Sequence, residues 1–534
     1  MPVNITSSNL GLNPYKGEWS RTIVKHLLKR TLFGVKASEI DYFLLQGLTS
    51  SVDILLNNTA AYPSPPLNDY NTATLIDPAV PFGNTWVNNL STDGNINFSR
   101  RRTFKKWWVG VILNQDRTIR EKLTLFWANH FGTELDTINF ANYAYWHHDL
   151  LRKSCLGNFK KLIKDVTIDA GMLRYLNGYL NSSTAPDENY ARELQELFTL
   201  GKGVGVNYTE EDVKNAAKVL SGWRINSNYL VYFDATRHAV TNKQFSAYYN
   251  NKTIIGKTGA NGALETDELI DMIFEKQDVA KFICRKLYTW FVYYYIDATV
   301  EKNIIEPLAL IFTQNNFEIK PVLKVLLESE HFYDTLYIGC QIKSPADHAL
   351  GFLRETSVVF PDPITDTADS YFHYNNIVTQ LLNTGQDLGD PPNVSGWPAY
   401  YQVPNFSELW INADTLPKRN KFTDLMIETG YTRNGKKIIL NTIQFVKDIC
   451  LNPRDPNVLT DSLFTHLLST DVSLVAKASL KKQILLSGQD SDRYWSDAWD
   501  SYIASPTTIN FNLVNIRLKA MIKYIMNLPE YQLA

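Results

Sequence analysis

Apolar positions recur at helical spacing along most of this chain, and one stretch shows the pattern best. Between Thr184 and Gly201, residues Tyr190, Ala191, Leu194, Leu197 and Phe198 fall on one face at about 100° per residue, which predicts an amphipathic helix. Thr184 with Asp187 three residues on resembles a capping box, Pro186 suits a first helical turn, and Gly201 supplies a left-handed stop. Glu188, Arg192 and Thr199 lie roughly opposite the apolar face, while Asn189, Glu193 and Glu196 run down one flank. Glu193, whose helical neighbours are Asn189, Tyr190, Leu197 and Leu200, is expected half in and half out of the core.

The same spacing predicts a helix from Ser20 to about Thr31, two short helices over 36–56, and a helix opening at Ser99-Arg-Arg-Arg-Thr-Phe-Lys-Lys-Trp-Trp108. Others follow over 118–129, 141–156 and 158–170, and Thr209-Glu-Glu-Asp212 caps one that turns Val213, Ala216, Ala217 and Leu220 inward. Tyr229–Phe233 and Lys252–Gly256 read as short strands. Helices resume at 266, 278–294, 300–315, 319–329 and 343–355 and close the chain at 510–526. The fold class is therefore mainly α: a multi-helix orthogonal bundle with a small β-hairpin excursion near residues 224–256 and long irregular loops. The expected organisation has an extended arm over 1–19 and a helical core over 20–420. Within that core lie a loop insertion (57–98), a small β element (224–265) and a Gly/Pro/Trp-rich loop (385–419). Residues 421–534 form a C-terminal helical region packed on the core.

Composition narrows the function. A formal net charge of −2 over 534 residues argues against a dedicated nucleic-acid binder, whose domain would be strongly basic. No apolar run reaches the length of a transmembrane helix; the nearest, Phe282–Ile296, is broken by Arg285 and Lys286. The four cysteines, at 155, 284, 340 and 450, lack metal-knuckle or disulfide-framework spacing and read as buried thiols. No secretory leader is visible at the start, which by itself points to the cytoplasm. Aromatic residues reach 13%, enough for large aromatic cores or for platforms that stack sugars or peptides.

Several ordered stretches carry a resemblance. They include His26-Leu-Leu-Lys-Arg30, Glu121-Lys-Leu-Thr-Leu-Phe-Trp127 with Asn129-His130-Phe131, and Glu188-Asn-Tyr-Ala-Arg-Glu193 with Glu196-Leu-Phe-Thr-Leu-Gly201. Lys343-Ser-Pro345, Pro391-Pro-Asn-Val394, Gly396-Trp-Pro398, Trp410-Ile-Asn412 and the closing Pro529-Glu-Tyr-Gln532 continue the series. The chain resembles the bacterial family catalogued as domain of unknown function 1800. The resemblance implies no established activity. It does imply gene neighbours of an alkaline-phosphatase-like or sulfatase-like family, and an export-associated setting. Two positions depart from the family's habit: Ala128 stands where a His usually precedes Asn-His-Phe, and His238-Ala239 where His-Asp is common.

Candidate chemistry gathers on the central helix. Glu193 with Glu188 or Glu196 supplies the carboxylates for an acid/base pair, with Asn189, Arg192, His130, Asn393, Trp397 and Trp410 as binding residues. The bland alternative is a Glu188–Arg192–Glu196 ion-pair ladder, with Glu193 and Asn189 satisfying nearby backbone. No cofactor motif is present, and a metal held by His130 with Glu193 is the least favoured option. The expectation is a scaffold or binding component for a glycan, or for a protein partner of the alkaline-phosphatase/sulfatase-like family. A carboxylate-based hydrolase, acting on a glycan, is the alternative.

Overall fold

The computed structural model describes residues 10–57, 59–203 and 205–534, so the first half of the expected N-terminal arm lies outside the described residues. From Leu10 the arm runs without regular structure, and Tyr15 donates its N–H to Glu328 O at 2.8 Å. The protein is mainly α with small two-stranded hairpins. Among the described residues no helix is long and apolar enough to cross a membrane.

Helix starts follow their caps. Thr209 and Asp212 form the expected capping box, Thr209 N–H donating to Asp212 Oδ2 at 2.7 Å and Asp212 N–H to Thr209 Oγ1 at 3.2 Å. The helix expected from Ser99 begins earlier, spanning Gly94–Leu113, because Asp93 Oδ1 accepts the Asn95 and Ile96 N–H groups. Its basic run is therefore mid-helix. Much of it is also turned away from solvent: Arg100 is buried against Asp77 at 2.6 Å, and Lys105 reaches both Asp387 and Asp390 at 2.6 Å. A helix with no clear signal in the sequence, Thr367–Asn383, packs along Gly94–Leu113.

The β excursion differs from expectation in its pairing. Val231–Phe233 pairs with Trp223–Ile225, and Thr253–Ile254 with Lys243–Gln244, so the two strands read from the sequence belong to separate antiparallel hairpins. A third hairpin, Tyr431–Arg433 with Lys436–Ile438, interrupts the C-terminal helices. Its turn, Asn434-Gly435, holds both residues at positive φ, which is the geometry an Asn-Gly hairpin turn adopts.

The central helix is also not regular. It starts at Asn189 rather than Thr184, since Ser182 and Ala185 form a local bridge and the Asn189 N–H is taken by Asp187 Oδ1. Asn189–Glu193 is α-helical, and Leu194–Thr199 continues as a π-helix, with the Leu200 N–H donating to Gln195 O. The extra residue per turn turns Gln195 and Thr199 inward beside Leu194 and Phe198. Thr199 is therefore core, not opposite it.

A buried ion pair tightens the loop insertion over 57–98. Asp77 accepts from Arg100 and from the Tyr70 hydroxyl at 2.6 Å; burial pushes its carboxyl up, but these donors outweigh burial and hold it below the usual range. Asp77→Ala strands a desolvated guanidinium and is expected to cost about 3–5 kcal/mol. The loss is measured by urea denaturation. A double variant with apolar residues at 77 and 100 should recover much of it.

Candidate functional site

The central helix brings only part of the expected constellation together. Arg192 Nη2 sits 3.1 Å from Glu188 and 2.6 Å from Glu210, so the ladder has one expected rung and one new one. Glu196 pairs with Lys202 instead. Glu193 is half-buried and has no hydrogen-bonding or ionic side-chain partner among the described residues. Burial, then the neighbouring Glu196, raises its carboxyl above the usual range against the pull of Arg192 and Lys202.

A second acidic group comes from the 385–419 loop. Tyr175 donates to Glu134 Oε1 at 3.2 Å, and its hydroxyl is raised by burial, by Glu134, and further by Glu193 and Asp390. Glu134, Glu193 and Asp390, from three remote segments, thus all act on the Tyr175 hydroxyl. Among the described residues no group of three or more His, Cys, Asp or Glu is placed to hold a metal.

The remaining candidates serve packing. His130 is buried, with Nε2 3.0 Å from Phe198 O on the central helix, and its ring lies among Phe126, Trp127 and Phe131. Burial and then Lys286 push its pKa well down, which keeps the imidazole neutral. Trp397 is 2% exposed and Trp410 4%, so neither offers a free ring face. The Trp397 N–H donates to Asn129 Oδ1 at 2.9 Å, and a side chain at Gly396 (φ +88°) would collide with that same oxygen. Asn393 is exposed and folds its Oδ1 onto the Ser395 N–H at 2.8 Å. Asn189 is exposed at the helix start. His238, at the second departure, lies 3.1 Å from Glu265 and 3.4 Å from Ser221 Oγ. This triad-like set is buried, however, and Ser221 gives its proton to Lys218 O at 2.6 Å.

A large cavity lies elsewhere and was not read from the sequence. It encloses about 780 Å³ between the 61–85 segment, the helix Gly94–Leu113 and residues 363–374. Trp107, Tyr371 and Tyr374 form aromatic walls, with Leu67, Val111 and Pro363 between them. The loop is pinned open around it: Trp107 Nε1 donates to Ser64 O at 2.7 Å, Leu67 N–H to the Tyr371 hydroxyl at 2.9 Å, and Arg120 to the Ala60 and Ala61 carbonyls. Gln115 lines it too, although both polar atoms of its side-chain amide are buried without a partner. The sequence offers only a long loop insertion over 57–98, rich in Asn, Pro, Ser and Thr, in which Pro63-Ser-Pro65 lies.

Comparison with known proteins identifies the chain. A family model described as "Protein of unknown function (DUF1800)" matches residues 26–533, and the chain belongs to that family. No curated protein and no solved structure matches it.

The raised carboxyl of Glu193 has a measurable sign. The folded state holds this proton more tightly than the unfolded chain, so stability falls as pH rises from the ordinary Glu range through the folded value. Glu193→Gln removes a penalty present at neutral pH. The variant is expected to melt higher than the parent near pH 7, with the gap closing toward pH 4. A lower melting temperature at pH 7 would show that the carboxylate instead holds a partner in place.

Proposed function

We propose that this DUF1800 protein is a binding component whose ligand occupies the aromatic-walled cavity. The observation that carries the reading is a volume of about 780 Å³ with aromatic walls and neutral polar residues, Asn84, Asn114 and Gln115, in its lining. A ligand suited to it has apolar faces to lie against Trp107, Tyr371 and Tyr374, and neutral groups that both donate and accept hydrogen bonds. A short glycan meets that description. On the resemblance set out above, such a protein presents its ligand to an alkaline-phosphatase- or sulfatase-like partner in a surface or export-associated system.

A carboxylate-based hydrolase is the second reading, and the partnerless, half-buried Glu193 favours it. Against it, Glu188 and Glu196 are engaged by Arg192 and Lys202 and are poorly placed to act as a free base.

Glycan-array screening followed by calorimetry on hits separates these readings. Val111→Trp fills the cavity from a half-buried helical position and is expected to weaken binding at least tenfold at unchanged melting temperature. Equal binding by this variant, or no binding by the parent, would overturn the cavity reading. Release of reducing ends by the parent but not by Glu193→Gln would install the hydrolase.

A further inference from the structure

A second, much smaller cavity, of about 30 Å³, lies between the two ends of the family match. Its walls hold four cations: Lys29 and Arg30 from the helix Arg21–Thr31, Lys122 from Arg120–His130, and Lys343 just before Pro345–Glu355. Tyr400, Phe406 and Trp410 of the 385–419 loop close it. All four cations are buried.

The partners of these cations do not balance them. Lys29 is matched by Glu355 at 3.3 Å and also donates to Leu467 O, at the end of the helix Pro456–Leu467. Lys122 is matched by Asp347. Arg30 and Lys343 have no carboxylate within 4 Å among the described residues. Arg30 spends only Nη2, on Tyr337 O at 2.9 Å and Cys340 Sγ at 3.2 Å, and its Nε and Nη1 are buried without an acceptor. Lys343 rests its ammonium over the Tyr531 ring at 3.8 Å. Behind it Arg419, fully buried, donates among the described residues only to the carbonyls of Lys343 and Trp410 and leaves its Nε unsatisfied. Unmatched buried charge of this kind is costly unless something compensates it.

We propose that this cavity is a binding site for a small tetrahedral oxyanion, of the phosphate or sulfate class, held by Arg30, Lys343 and Lys122. The size suits it, since a space of about 10–15 Å³ takes one water and this one holds about twice that. The chemistry suits it too. Arg30 still has hydrogens to donate from Nε and Nη1, which lie on different edges of the guanidinium, and Lys343 adds a point charge from the same cavity wall. Burial foremost, with Lys29 adding to it and Glu355 opposing, lowers the Lys343 ammonium to about 7; a bound anion restores its charge.

The test uses the full chain in a buffer free of oxyanions. Sodium sulfate and sodium phosphate are titrated against sodium chloride at matched ionic strength, and the melting temperature is recorded. The site requires the melting temperature to climb with the logarithm of oxyanion concentration and not with chloride. Lys343→Met should abolish that climb while melting no lower than the parent without sulfate, because it removes an unmatched charge. Arg30→Met serves as the second variant should the first fail to fold. Glycerol phosphate and phenyl sulfate form the other arm: stabilisation by the esters equal to that by the inorganic ions assigns the site to the anionic end of a larger ligand, and no effect of the esters assigns it to a free ion. Equal response of the parent to sulfate, phosphate and chloride would overturn the proposal. So would an undiminished sulfate response in both variants.

Discussion

Buried arginine is the constraint on which the arrangement rests. Arg100, Arg152, Arg354 and Arg419 are among the largest fully enclosed side chains, and each joins segments far apart in sequence. Arg152 makes a two-pronged pair with Glu121 at 2.8 and 3.1 Å, Arg354 reaches Glu39 at 2.7 Å, and Arg100 reaches Asp77. A guanidinium cannot shed its charge at any ordinary pH, so the chain has to bring an acceptor to it. These pairs therefore fix which helices meet. Three of the four find carboxylates; among the described residues Arg419 finds only carbonyls, and it stands next to the cavity where Arg30 and Lys343 also lack a carboxylate.

Local pattern made most helices legible because an apolar stripe and a cap are both short-range signals. Ile23, Leu27 and Leu28 mark the first helix, and Thr209 with Asp212 the start of another. The central helix shows where that reading stops. A rule of 100° per residue found Tyr190, Ala191, Leu194 and Phe198 in the core but missed Gln195 and Thr199. These two turn inward only because the Leu200 N–H reaches back five residues, and Gln195 Oε1 is held there by the Tyr249 hydroxyl at 2.7 Å. Tyr249 lies in the β excursion, so the cause is tertiary and no local window contains it.

Charge was the least legible property, for a related reason. The run from Arg100 to Lys106 reads as a solvated face because five basic residues in ten usually are one. Here four of the five are tied to Asp77, Asp136, Asp387, Asp390 and Asp69, all outside the helix. Lys29 and Arg30 belong to one motif and Lys343 to another, more than three hundred residues away. The fold brings them to one cavity. Glu193 was placed correctly at the border of the core by its helical neighbours, but its carboxylate companions Glu134 and Asp390 come from segments the helix pattern does not see.

A net charge of −2 is a sum and carries no information on where the charges lie. The near balance hides a separation: carboxylates gather around Tyr175, and unmatched cations gather around Lys343. One loop touches both. Asp387 and Asp390 lie near its start, tied to Lys105, while Tyr400, Phe406 and Trp410 further along close the cationic cavity. Between them the segment 393–397 is locked on Asn129, and Gly132 approaches Val394 so closely that a side chain there would meet the Val394 carbonyl. A loop pinned at its middle by backbone contact cannot swing as a lid. Its prolines and glycines limit the conformations the segment can adopt, and the contacts with Asn129 and Gly132 fix it against the helix Arg120–His130 and the residues that follow.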